Sequence, residues 1–82
     1  MSNQTKQEIL HTSILAREQE VMHYQINIDN YTLALQHIAK LSTEEQTELS
    51  SFVEQLRGLL ASETFEQKKA KVMLSVLKLQ VS

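Results

Sequence analysis

Residues 10–38 read LHTSILAREQEVMHYQINIDNYTLALQHI, and the spacing of their apolar side chains decides the fold. Leu10, Ile14, Val21, Tyr24, Ile28, Tyr31, Leu35 and Ile38 follow one another in alternating steps of four and three, with Arg17 filling the single gap. A repeat averaging 3.5 residues keeps one stripe on one side of a helix over about four heptads, the signature of coiled-coil-like packing. In heptad lettering Ile14, Val21, Ile28 and Leu35 stand at a, and Leu10, Arg17, Tyr24, Tyr31 and Ile38 at d. Such a seam serves either a long core helix of a small bundle or a dimerisation helix. On the second reading Arg17, Val21, Tyr24, Ile28, Tyr31 and Leu35 are the candidate oligomer or partner interface. Arg17 costs stability there unless paired, and Glu18 or Glu20 of an antiparallel or neighbouring helix is the expected partner; a lone polar seam residue can also fix register.

Behind the seam, Leu15, Met22, Ile26 and Leu33 occupy b and f positions. A helix with one buried face is polar there. Two apolar faces imply two sets of packing partners, the later helices of the chain on one and a second subunit on the other.

Working outward, Thr5 and Glu8 form a capping-box pattern, so a helix is expected from about residue 5 to about residue 40, roughly 54 Å long. Asn27, Asp29, Asn30, Tyr31 and Thr32 are mediocre helix formers. The seam nevertheless stays in phase across them, which predicts a continuous helix with a local bend. Ser42 and Glu45 make a second capping box, and Leu49, Phe52, Val53, Leu56, Leu59 and Leu60 give the stripe of a second helix over about 43–61. So short a connection folds it back antiparallel on the first.

That stripe then fails. The next apolar set, Phe65, Val72, Val76 and Leu79, is centred on nearly the opposite side of a continued helix. The preferred explanation is a turn near Ala61–Thr64, with Gly58 and Ser62 weakening the helix before it and Thr64 with Gln67 capping a third helix over about 64–80. The alternative is one long helix that changes its buried side and meets a different subunit at each end. The fold expected is therefore all-α: a single domain over residues 1–82, with a long N-terminal helix and an antiparallel hairpin, in a coiled-coil-like bundle assembled as a homodimer.

Composition narrows the function. Eighty-two residues with no proline and one glycine favour helix over turns, and a chain this short is marginal alone, with about 4–12 kcal/mol of stability in total. Without cysteine it has neither disulfides nor thiolate metal sites, which suits a reducing cytoplasm. No apolar run approaches the roughly 20 residues that cross a bilayer, and the polar start is unlike a signal peptide. A soluble cytoplasmic protein is expected.

No nucleophile elbow, triad spacing or phosphate-binding glycine loop occurs, so an enzyme is not expected, and no cofactor is implied. Glu20 and His23 form one Glu-x-x-His pair, but a di-iron bundle needs two such pairs and further inward carboxylates, so no metal is assigned. His11 and His37 lack ligand-spaced partners. Tyr24 and Tyr31 read as core residues with their hydroxyls at the edge, or as anchors for a partner.

Charge is uneven along the chain. Residues 42–66 carry six glutamates against Arg57, and residues 67–82 carry four lysines and no acid. Pairing between the two segments explains both most simply. Lys68, Lys71 and Lys78 share a face, a candidate anion-binding surface, although nucleic acid usually draws on a larger positive area. These features point to a non-enzymatic interaction module acting as adaptor or modulator of another protein. The composition is analogous to that of phage and mobile-element accessory proteins that bind a host factor; a nucleic-acid-associated regulator using the lysine face is the alternative.

Overall fold

Ser42 turns the chain. In the computed structural model, which describes residues 3–81, three helices follow one another: α1 (Asn3–Ala39), α2 (Thr43–Glu48) and α3 (Ser50–Val81). At the start of α2 the Ser42 Oγ accepts from the Glu45 amide at 3.2 Å, and the Ser42 amide donates back to the Glu45 carboxylate at 3.2 Å, which completes the expected capping box. Gln46 then donates from Nε2 to the carbonyls of Leu41 at 2.8 Å and Ala39 at 3.2 Å. One side chain thereby satisfies carbonyls that the end of α1 leaves without helical partners.

Between α2 and α3 only Leu49 departs from helical geometry, with φ −96° and ψ 7°. Its amide is shared between the carbonyls of Glu45 and Gln46, and its own carbonyl already accepts from Val53 at 2.9 Å. The chain after Ser42 is thus nearly one rod, kinked at a single residue.

α1 is continuous through its weak patch, where the seam stays in phase and α3 packs along it. Gln25 Nε2 donates to the Asp29 carboxylate at 2.9 Å, and the Thr32 hydroxyl bonds back to the Ile28 carbonyl at 2.7 Å. The helix also starts earlier than expected. Asn3 and Gln4 are already helical, which places Thr5 inside the helix rather than at its cap; Met1 and Ser2 lie outside the described residues.

The expected turn at Ala61–Thr64 is absent, and the helices predicted over 43–61 and 64–80 are replaced by the short α2 and the unbroken α3. Thr64 behaves as a mid-helix residue, its hydroxyl donating to the Leu60 carbonyl at 2.7 Å. Nor does α3 switch its buried side. Continuing from Leu49, its inward positions are Val53, Leu56, Leu60, Glu63, Gln67, Ala70, Leu74, Leu77 and Val81, in steps of four and three throughout; outside this set Glu66 alone in α3 is sheltered, and the rest of the helix is exposed. The apolar stripe was interrupted because the seam itself turns polar and small at Glu63, Gln67 and Ala70.

The result is a two-helix antiparallel hairpin measuring 65 × 16 × 14 Å, with no strand among the described residues. Its radius of gyration of 18.7 Å compares with about 12 Å for a compact domain of this length. Burial is correspondingly thin. Leu56 (6% exposed), Ala70 (2%) and Gln67 (7%) are the buried residues among those described, and the remaining seam residues of both helices are half-covered. Gly58 lies on the outward side, where an added Cβ would meet nothing within 4 Å. A glycine inside a helix costs about 1 kcal/mol relative to alanine, and no contact within the hairpin requires it.

Candidate interaction surfaces

Each long helix has two faces, and they divide the predicted residues between them. The inward face of α1 carries Leu10, Ile14, Arg17, Val21, Tyr24, Ile28, Tyr31, Leu35 and Ile38, all half-buried. The six residues predicted as an oligomer or partner interface, Arg17, Val21, Tyr24, Ile28, Tyr31 and Leu35, therefore sit against α3 of their own chain. The physical reason is proximity. Ser42 and Gln46 reverse the chain within a few residues, which lays α3 along the seam.

Midway along the hairpin the seam is polar. Gln67 crosses from α3 and donates from Nε2 to the Gln25 side-chain oxygen at 2.9 Å and to the Val21 carbonyl at 3.3 Å. Gln25 passes the connection on to Asp29. Arg17 pairs with Glu20 at 2.9 Å, one turn along its own helix rather than on a neighbouring one as expected. Both partners are about one-third exposed, so the pair contributes at most about 1 kcal/mol.

Tyr24 lies among carboxylates. Partial burial first, then the charges of Glu20, Glu66 and Glu63 and a hydrogen bond with Glu20, raise its phenol above the ordinary tyrosine value. Glu63 Oε2 is shielded from solvent and has no hydrogen-bond partner. This layer sets the register, since only one alignment of the helices brings Gln67 to Gln25.

The outward faces are apolar along much of their length. On α1 Ile9, Leu15, Met22, Ile26 and Leu33 are exposed, and on α3 Phe52, Leu59, Phe65, Val72, Met73, Val76 and Leu79. Those of α3 include both phenylalanines of the chain. Lys69 Nζ lies 5.8 Å from the Phe65 ring centroid and 3.7 Å from the Glu66 carboxylate. Where the helices meet near the open end, Ser13, Arg17, Val72, Met73, Val76 and Leu77 line a shallow groove.

Lys68, Lys71 and Lys78 are exposed on α3. The two charged segments, expected to pair, lie in line along one helix and adjoin at Glu66 and Lys69. An unbroken α3 puts even Glu54 and Lys68 about 21 Å apart along the axis. The molecule is instead a bipolar rod. From Glu20 to Glu66, the middle and hinge, there are eight acidic and two basic residues, a formal −6. The open end, residues 3–19 with 67–81, carries +4.

Of the Glu20–His23 pair, Glu20 is engaged with Arg17 and His23 is exposed; among the described residues no group of three or more potential ligands could hold a metal ion. His11 and His37 are exposed. No helix among the described residues is long and apolar enough to cross a membrane. No protein family, curated protein or solved structure matches this chain.

Proposed function

We propose that this chain is a non-enzymatic protein–protein interaction module, an antiparallel coiled-coil hairpin that forms a homodimer and acts as adaptor or modulator of another protein. One observation carries the reading. The hairpin buries two hydrophobic side chains while leaving twelve large ones exposed among the described residues. Apolar burial is the dominant favourable term in folding, and a chain that spends so little of it internally has most of its apolar surface available for association. The surface supports the same conclusion. Its 6313 Å² exceeds the roughly 5,000 Å² of a compact protein of 9.4 kDa, and the excess is comparable with the approximately 800 Å² that each partner contributes to a standard interface.

Light scattering together with melting at several protein concentrations tests it. The expected result is the mass of a dimer and a Tm that rises with concentration. A monomer at about 100 μM with a concentration-independent Tm refutes the homodimer.

A second reading rests on the lysine face. Because α3 holds Lys68, Lys71 and Lys78 beyond reach of Glu48 and Glu54, the three cations remain available to phosphates. On this reading the chain is a nucleic-acid-associated regulator, retained on DNA or RNA at low salt and released steeply as salt rises. Absence of retention at low salt disposes of it.

A further inference from the structure

The two outward faces are not equivalent, and charge distinguishes how a second copy would meet them. We infer that two hairpins associate through the outward face of α3, side by side and antiparallel, so that the hinge end of one lies along the open end of the other. The inference rests on the homodimer reading above and specifies its face and orientation.

Three observations converge. The α3 face is the richer in large apolar groups: Phe65, Val72 and Leu79 recur every seven residues on the outward side, and Phe52, Leu59 and Val76 are exposed as well. The rod is bipolar, −6 through its middle and hinge and +4 at its open end. In an antiparallel pair each positive end lies beside a negative one. The like-charged ends are then separated by about half of the 65 Å length, far beyond the screening length of about 8 Å at physiological ionic strength. A parallel pair opposes like ends instead.

The third observation is Gly58. It occupies the same outward side as Phe65 and Val72, seven and fourteen residues further on, and nothing within 4 Å of its position explains the missing side chain. Phe65 is also the midpoint of α3 (Ser50–Val81). A twofold axis between Phe65 and Glu66 superimposes the full lengths of the two α3 helices, sets Ser62 opposite Lys69 of the second copy, and brings Gly58 level with Met73 and next to Val72. Lacking a side chain, Gly58 leaves room there for the apolar side chains of the second copy, which gives it a purpose that the isolated hairpin lacks.

The test uses the full chain, whose lack of cysteine makes introduced thiols unambiguous. Ser62→Cys and Lys69→Cys proteins are mixed and oxidised. The disulfide joining one variant to the other is expected to form several-fold faster than the disulfide joining two copies of either variant alone; the reverse order of rates overturns the orientation. In sedimentation, Phe65→Glu and Val72→Glu are each expected to weaken association at least tenfold with helix content unchanged, while Met22→Glu on the α1 face leaves it within about twofold. Gly58→Leu separates a packing role from a merely structural one, since it is expected to raise the helicity and Tm of the dissociated hairpin and yet weaken the dimer. Rising salt weakens an antiparallel pair and strengthens a parallel one, so the sign of that dependence is a further check. A dimer broken by Met22→Glu but not by Phe65→Glu overturns the inference and leaves the homodimer reading intact. A parent protein that is monomeric at every concentration overturns both.

Discussion

Replacing Gln67 examines the polar layer that aligns the hairpin. Gln67→Ala removes two interhelical hydrogen bonds, to Gln25 and to the Val21 carbonyl, with a net contribution of about 0.5–1.5 kcal/mol each. It also removes a methylene from one of the most buried positions in the chain, for about 0.8 kcal/mol. The expected loss is about 2–3 kcal/mol, a substantial part of the roughly 4–12 kcal/mol available to 82 residues. Gln67→Leu loses the same bonds but refills the space with apolar atoms and relieves the desolvation of the amide, so it is expected within about 1 kcal/mol of the parent. Urea unfolding followed by circular dichroism, at one fixed protein concentration, separates the variants. With a slope of about 1 kcal/mol per molar, typical of a small domain, the alanine protein shifts its midpoint by about 2 M and the leucine protein by under about 1 M. If Gln67→Ala unfolds within about 0.5 kcal/mol of the parent, the layer does not hold the helices and the argument is wrong. Both variants lose the register pin, so broadened or duplicated amide resonances are expected for each of them and not for the parent.

Other outcomes follow from individual contacts. Leu56→Ala should cost about 2–3 kcal/mol, at the low end for a buried leucine because its neighbours are half-exposed and can relax; thermal unfolding measures it. Ser42→Ala removes the hinge cap and should destabilise by about 1 kcal/mol in urea. Tyr24 has a raised folded-state pKa, so the native state retains its proton more strongly than the unfolded chain. Stability linked to this group is complete below the unfolded value of about 10 and is lost as pH rises through the folded value. Tyr24→Phe should therefore flatten the alkaline limb of stability against pH, and an unchanged limb counts against the carboxylate cluster. Glu63→Gln removes a charge from beside Glu20, Glu66 and Tyr24 and should leave stability unchanged or raise it at pH 7 by up to about 1 kcal/mol; a loss larger than that would show Glu63 to be paired.

The sequence made the first helix and the hinge legible because their signals are local. Nine seam positions at heptad spacing, together with the Ser42–Glu45 box, specify a long helix and a sharp reversal without reference to the rest of the chain. α3 is not legible from its apolar residues alone, because its seam turns polar and small midway. Glu63, Gln67 and Ala70 carry no hydrophobic signal, yet they continue the same four-and-three steps that begin at Leu49. Following position instead of polarity carries the seam directly from Leu60 to Leu74. Periodicity also could not decide which partner fills the α1 seam, since a helix of the same chain and one of another present the same a and d pattern. What decided it was distance along the chain, through a hinge only a few residues long.

That hinge also orders events in time. Ile38 and Val53, which share a groove beside it, are 15 residues apart, whereas Ser13 and Leu77 at the open end are separated by 64. Closing the longer loop costs on the order of 1 kcal/mol more in chain entropy, so the helices should zip from the hinge outward, through the polar layer, to the open end. Amide exchange should record this as protection that is greatest around Leu35 and Leu56 and declines toward Leu10 and Leu77. The last segment to close and the first to open is then the lysine-rich end, and the time it spends apart sets how often its seam is available to anything other than the facing helix of its own chain.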